Sequence, residues 1–565
     1  MFSFRSIFLF VLSLLATVVL LAQQPTSERA LDEAASAFSQ GKTAEAEHSV
    51  DLILKEHPTD LRALLLKGAI LDSKQRYSEA DSYYQRALRV APNSAQVLNN
   101  IGNHFLASGA RAEARKFFLK AIALDPHHEN AILQLAQMSV DDKDGKQALS
   151  YLSRLGDLTN LDLGAVLLRA RALGLDGQCS DAAKLLNSLP DQASANPKVS
   201  FSTGMTFAQC KLYYQAERSF SRALAADPTN FDILYNLGLA ALESGHTERA
   251  TNVLETALKQ RPEDADCQHA LGRARLDLAV VRFQLQGPQA ALSELDKIPP
   301  ADRKGDYYLL RAQILDSLNQ MQEAVDALNR GIRADPARPD LYLQAAGFLL
   351  KHNLLHEALD LLEQASRILP DARELLLAQV VTLQLLRRED DAQNLVSRIQ
   401  TRWPGWDRAY ALKGMLLEIQ LKSAEARRTL EKAIALGANT PEAYYYEALA
   451  ITHTDPGDLD GAQAAISHAL ALTSTDPYIF VLAGKISLAK RDYAKALQFM
   501  LAATRLQPTL IPAHYGLRDV YKALGNEQKS LAEMEEIKRL AHETSGADQN
   551  PFSTEGFLFA VRPPG

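Results

Sequence analysis

The fold class the sequence predicts is all-α: a solenoid of about fifteen stacked helical hairpins. Three observations predict it. The stretch Phe231 to Pro262 carries apolar residues at Ile233, Leu234, Leu237 and Ala241, then at Ala250, Leu254 and Ala257. Both runs have the three-and-four spacing of an amphipathic helix, and the polar turn SGHTE lies between them. The same unit recurs with a period of 34, its copies starting at 27, 61, 95, 129, 163, 197, 231 and 265, then 305, 339, 373, 407 and 441, then 477 and 511. Two positions within it are held small. The eighth reads Ala34, Gly68, Gly102, Ala136, Ala170, Gly204, Gly238, Gly272, Ala312, Ala346, Val380, Gly414, Ala448, Gly484 and Arg518, so only Val380 and Arg518 depart from the rule. The twentieth is alanine in every copy but the last, where it is Ser530, with Ala290 and Ala291 both open in the eighth copy. Small residues at a helix crossing let two axes approach closely. Prolines such as Pro92, Pro126, Pro262 and Pro370 close the copies, because proline lacks an amide donor and restricts the residue before it.

The elements follow in chain order. Ile7 to Ala22 is an uncharged apolar run, short for a spanning helix and suited to a secretory signal cut after Ala22 or to an uncleaved anchor. Either reading places the rest outside the cytoplasm, as a periplasmic or secreted protein. Residues 23–26 form a short linker, copies one to eight span 27–304, and copies nine to fifteen span 305–542. The first four copies are regular, with Tyr84 and Phe118 as aromatic packing residues of second helices. SLPDQASANP makes a looser end to copy five, where a mild hinge is expected. About six extra residues lengthen the first helix of copy eight, and two widen the turn of copy thirteen. The tail 543–565, with Phe552, Phe557, Phe559 and Val561, is apolar enough to cap the last repeat or to serve as a ligand for a partner.

Composition narrows the chemistry. A formal net charge of −7 and a pI near 6.0 supply no basic field for a phosphate backbone, so nucleic acid is not an expected partner. Asp455, Asp458, Asp460 and Gly461 resemble part of a calcium loop, but Pro456 and Ser467 stand where acidic ligands are needed. His352 and His356 have zinc spacing without a third ligand, and Gly41-Lys42-Thr43 lacks the earlier glycine of a phosphate loop, having Ser36 there. No catalytic residue, metal or cofactor is expected, and the tail is too short for a catalytic domain.

The period and the pattern of small residues resemble the tetratricopeptide repeat family, over about Ser27 to His542. The resemblance implies a right-handed superhelix and a non-enzymatic protein-binding scaffold, with positions two, five, six, nine, twelve and thirteen of each copy lining a concave groove. Carried over, those positions give Asn99, Asn100, Asn103, Gln134, Gln137, Arg171, Tyr235, Asn236, Arg273, Tyr445 and Tyr446 as groove candidates. Leu309, Leu343, Leu377, Ala411 and Val481 make the later half less polar. Amide side chains both donate and accept, which suits the main chain of an extended peptide. The lysine, asparagine and arginine clamp of chaperone-binding members is missing. In this fold a second helix packs on the first helix of the next copy, which brings Cys179 and Cys210 together as a disulfide and leaves Cys267 free. The implied function is an envelope scaffold for partner proteins or peptide segments; the alternative is an accessory subunit of an envelope enzyme or of a polysaccharide synthesis, export or secretion complex.

Overall fold

The computed structural model describes residues 26–156, 162–473 and 475–543. The N-terminal apolar run and the tail beyond Glu543 lie outside them. All regular structure among the described residues is helical, from Thr26–Ser39 to Glu527–Glu543, and each helix packs mainly on its neighbours in sequence. This is an all-α solenoid. It divides into two compact units between Leu278 and Ala279, inside the helix Ala265–Leu285 rather than at residue 304 where the copies change register.

Within each unit the hairpins are built on a match of sizes. Gly68, Gly102 and Gly204 at position eight lie under the rings of Tyr84, Phe118 and Phe220 at position twenty-four, each so close that a Cβ would stand 2.6 Å from the ring. Gly238 and Gly414 lie under Leu254 and Leu430. Where position eight is alanine its counterpart is aliphatic: Ala136 shares a buried cluster with Leu152, Ala312 with Leu328 and Ala346 with Leu362. Val380 departs from the rule without harm because its counterpart is the small Val396, both fully buried. Position twenty is sealed in the same way, and in copy eight it is Ala291, 0% exposed, that takes the place.

The turn between the two helices is as regular as the helices. Residue fifteen is left-handed in thirteen copies: glycine at 41, 109, 177, 245 and 525, but Gln75, Lys143, Lys211, Asn319, Asn353, Arg387, Leu421 and Arg491 elsewhere. The next residue donates its amide five residues back, as Ala110 does to Phe105 at 2.8 Å and Lys422 to Leu417 at 2.9 Å, which closes the first helix with a Schellman cap. A side chain in this conformation crowds its own carbonyl, and glycine does not. Leu421, at φ 59° and 79% exposed, gains nothing by burial in return. Leu421→Gly is therefore expected to raise stability by about 1 kcal/mol in urea denaturation, and Gly109→Ala to lower it by a similar amount.

Departures from the regular hairpin are local. The first helix of copy eight runs 21 residues, against 13 in Phe231–Glu243. Second helices are cut short in copies four (Gly145–Leu152), five (Cys179–Asn187) and eight (Pro288–Leu295). The shortening in copy four corrects the expectation of a regular repeat there; a 3-10 turn, Ser153–Leu155, replaces the missing helix. In copy thirteen the aspartates have structural partners: Asp458 caps its helix by accepting from Gly461 N at 2.9 Å, and Asp460 pairs with the Lys490 amine at 2.7 Å. Among the described residues no group of three or more His, Cys, Asp or Glu is placed to hold a metal ion.

Candidate protein-binding surface

First helices of neighbouring copies touch each other as well as their own partners, for instance Leu61–Ser73 with Ala95–Ala107 and Asp407–Ile419 with Pro441–Thr454. That contact decides which expected groove residues are available. Position five is buried in some copies and not in others: Asn99 is 1% exposed, and Leu377, Ala411 and Val481 are buried too. Asn100 and Tyr446 at position six are buried at 7% and 8%. These residues belong to the core and not to an open groove. Leu309 and Leu343 stay partly exposed.

Among the candidates that stay accessible in the first unit, an amide patch gathers on copies three and four. Asn103, Gln134 and Gln137 are partly exposed, and Asn130 joins them from position two, its Oδ1 accepting from Asn103 Nδ2 at 3.4 Å. Asn130 was overlooked in sequence although the position rule includes it. Gln137 Nε2 donates to Asp141 at 2.6 Å, and Arg111 holds that carboxylate from the other side at 3.2 Å. Gln134 has no partner among the described residues, so its amide is free both to donate and to accept.

The other candidates are scattered. Tyr235 stacks on Phe231 with ring centroids 5.9 Å apart, and burial together with the Asp266 carboxylate raises its hydroxyl above the ordinary tyrosine value. Asn236 turns back to donate to Asp232 O at 2.7 Å. Arg273 is exposed but paired with Glu243 at 2.9 Å, so its charge is largely spent within the protein. Arg171 is partly exposed, and Tyr445 packs edge-on against Tyr446 at 5.1 Å. His352, once a zinc candidate, is held by Asp316 at 2.7 Å.

Asn99 has both polar atoms of its amide buried without a hydrogen-bond partner. An orphaned buried amide costs about 1–3 kcal/mol. Asn99→Leu, which replaces it with an apolar side chain of similar size, is expected to stabilise the chain by about 1–2 kcal/mol in urea denaturation and to leave partner binding unchanged.

Cys179 and Cys210 form a disulfide, with Cα atoms 5.5 Å apart, between the fifth and sixth copies. Cys267 is free and buried, its thiol pushed up to about 11 by burial, with the Asp264 carboxylate adding to the effect.

These features define a class, a helical-repeat scaffold that offers polar side chains from successive hairpins. The comparisons with known proteins narrow it. Tetratricopeptide repeat models match residues 31–80 and 71–129, 213–274, and 305–338. The chain is a tetratricopeptide repeat protein, an architecture for binding other proteins or peptides. It is 25% identical over 324 residues to cellulose synthase operon protein C of Pseudomonas fluorescens, covering 54% of this chain and 25% of that protein. It is 24% identical over 202 residues to a human protein O-mannosyl-transferase, covering 35% of this chain and 22% of that one. The chain thus spans about a quarter of the length of these curated relatives. Among solved structures it resembles yeast Tom70, at 14% identity and a TM-score of 0.38, over 88% of this chain and 98% of that one.

Proposed function

We propose that the chain is a non-enzymatic scaffold of the cell envelope, which holds an extended segment of a partner protein on the amide patch of copies three and four. The observation that carries this reading is the patch itself. Asn103, Asn130, Gln134 and Gln137 come from two successive first helices, are partly exposed, and retain donors and acceptors that the protein does not use. A peptide main chain presents donors and acceptors in alternation, and amides meet it without selecting sequence. The envelope location rests on the apolar run Ile7 to Ala22. A second reading, an accessory subunit of a polysaccharide synthesis complex, draws support from the likeness to a protein whose name places it in a cellulose synthase operon.

The test is affinity capture from the envelope fraction of the source cells, with the native chain beside a variant carrying Asn103→Ala, Asn130→Ala, Gln134→Ala and Gln137→Ala. One or two proteins held by the native chain and lost by a folded variant support the patch. Equal retention by both moves the site elsewhere, and a polymer synthase among the lost proteins favours the second reading.

A further inference from the structure

The joint between copies five and six differs from the others in its neighbourhood. The second helix of copy five, Cys179–Asn187, has 9 residues, about as short as the 8 of copy four, where those of copies six and seven have 14. Its contact with the next first helix, Pro197–Gln209, is thinner than the corresponding contact at the four joints before it and at the joint after it. The connection between them is long and holds only the short helix Asp191–Ser194. At this thin joint the chain places its one disulfide among the described residues, Cys179–Cys210, and both cysteines are partly exposed.

We infer that this disulfide is an exchangeable latch on the joint, opened by a thiol that attacks Cys210. The direction follows from where each sulfur sits. Cys179 is the first residue of its helix, where the unpaired amides and the positive end of the helix dipole favour a thiolate. The nearby carboxylate of Asp181 is taken up by Lys184 at 3.1 Å. Cys210 follows the last turn of Pro197–Gln209, at the negative end of that helix. In thiol–disulfide exchange the sulfur that better carries negative charge leaves, so Cys179 is the leaving group.

The chemistry balances with a dithiol as reductant. One of its thiolates bonds to Cys210 Sγ as the Cys179–Cys210 bond breaks, and Cys179 leaves as a thiolate that takes a proton from water. The dithiol's second thiolate then displaces Cys210, so that the dithiol is oxidised to a disulfide and the two cysteines are reduced. With the covalent link gone, the first helices Leu163–Leu175 and Pro197–Gln209 still pack on each other, and the short second helix of copy five is left with only its thin contact to copy six.

Two measurements on the full oxidised chain test this. Brief treatment with glutathione, an acid quench, alkylation and peptide mass spectrometry should place glutathione on Cys210 and the alkyl group on Cys179, with a preference of roughly threefold or more. Cys267, fully buried, serves as the control that stays unlabelled until the chain is unfolded. Reduction with dithiothreitol should then speed amide hydrogen exchange in residues 186–196, with residues 231–262 unchanged. Glutathione on Cys179 instead, equal labelling of both, or no reaction before denaturation would overturn the direction of attack. Unchanged exchange on reduction would overturn the latch. A Cys179→Ser, Cys210→Ser variant should show the fast exchange without any reductant; should it not fold, the reduced native chain carries the same comparison.

Discussion

Gly102→Ala will destabilise the array by about 1–2 kcal/mol, even though alanine is the better helix former by roughly 1 kcal/mol. The added Cβ would stand 2.6 Å from the ring of Phe118, and that ring is fully buried and cannot retreat. Phe118→Leu alone will cost about 1–3 kcal/mol, through lost burial and the space it leaves over the glycine. The two together will cost much less than the sum, because they install in copy three the pairing that copy four already has as Ala136 and Leu152. Urea denaturation followed by circular dichroism, run as a double-mutant cycle, is expected to give a favourable coupling of about 1–3 kcal/mol. Additive costs would show that the two positions do not constrain each other.

The second large effect lies at the joint of copies one and two. Lys67 is buried, with its amine 2.9 Å from Glu47 and 2.5 Å from Asp51, and Lys74 and Arg76 also reach Glu47. Lys67→Ala removes one of three cations from Glu47 and the partner of the half-exposed Asp51, so it is expected to cost about 1–3 kcal/mol in lost charged hydrogen bonds. The same cluster predicts a pH dependence. Hydrogen bonds from Lys74 and then Lys67 hold the Glu47 carboxyl down from 4.5 to about 2. A lowered folded-state value means stabilisation that is complete above 4.5, falls away as the pH drops and is gone below about 2. Between those limits the native chain should lose stability more steeply than Glu47→Gln, the two curves converging at the acid end. Parallel curves would mean that Glu47 gains nothing from its lysines.

The repeat period, the small residues and the meeting of Cys179 with Cys210 were all legible in sequence, because each is a property of one hairpin or of one hairpin against the next. Position eight even hid its own explanation: Val380 looks irregular until Val396, sixteen residues on, is read with it. The fate of Asn99, Asn100 and Tyr446 was not legible. Their burial depends on how closely first helices of successive copies approach, which no pattern within a copy encodes. The left-handed turn escaped notice for another reason. Its usual marker is glycine, and eight of the thirteen copies that adopt it use another residue, since the helices on either side enforce the conformation. Of the amide patch, Asn103, Gln134 and Gln137 were named from their repeat positions and are partly exposed, and Asn130 was missed.

The pairing of positions eight and twenty-four within a hairpin also sets the grain along which such a gene can be recombined. A crossover in the connection between copies exchanges matched halves together, and any copy can then be duplicated, deleted or moved without disturbing its own fit. A crossover in the turn at position fifteen would separate them, setting the helix of Ala136 against the ring of Phe118 or the helix of Gly102 against Leu152. The whole hairpin is the smallest piece of this chain that can be inherited intact.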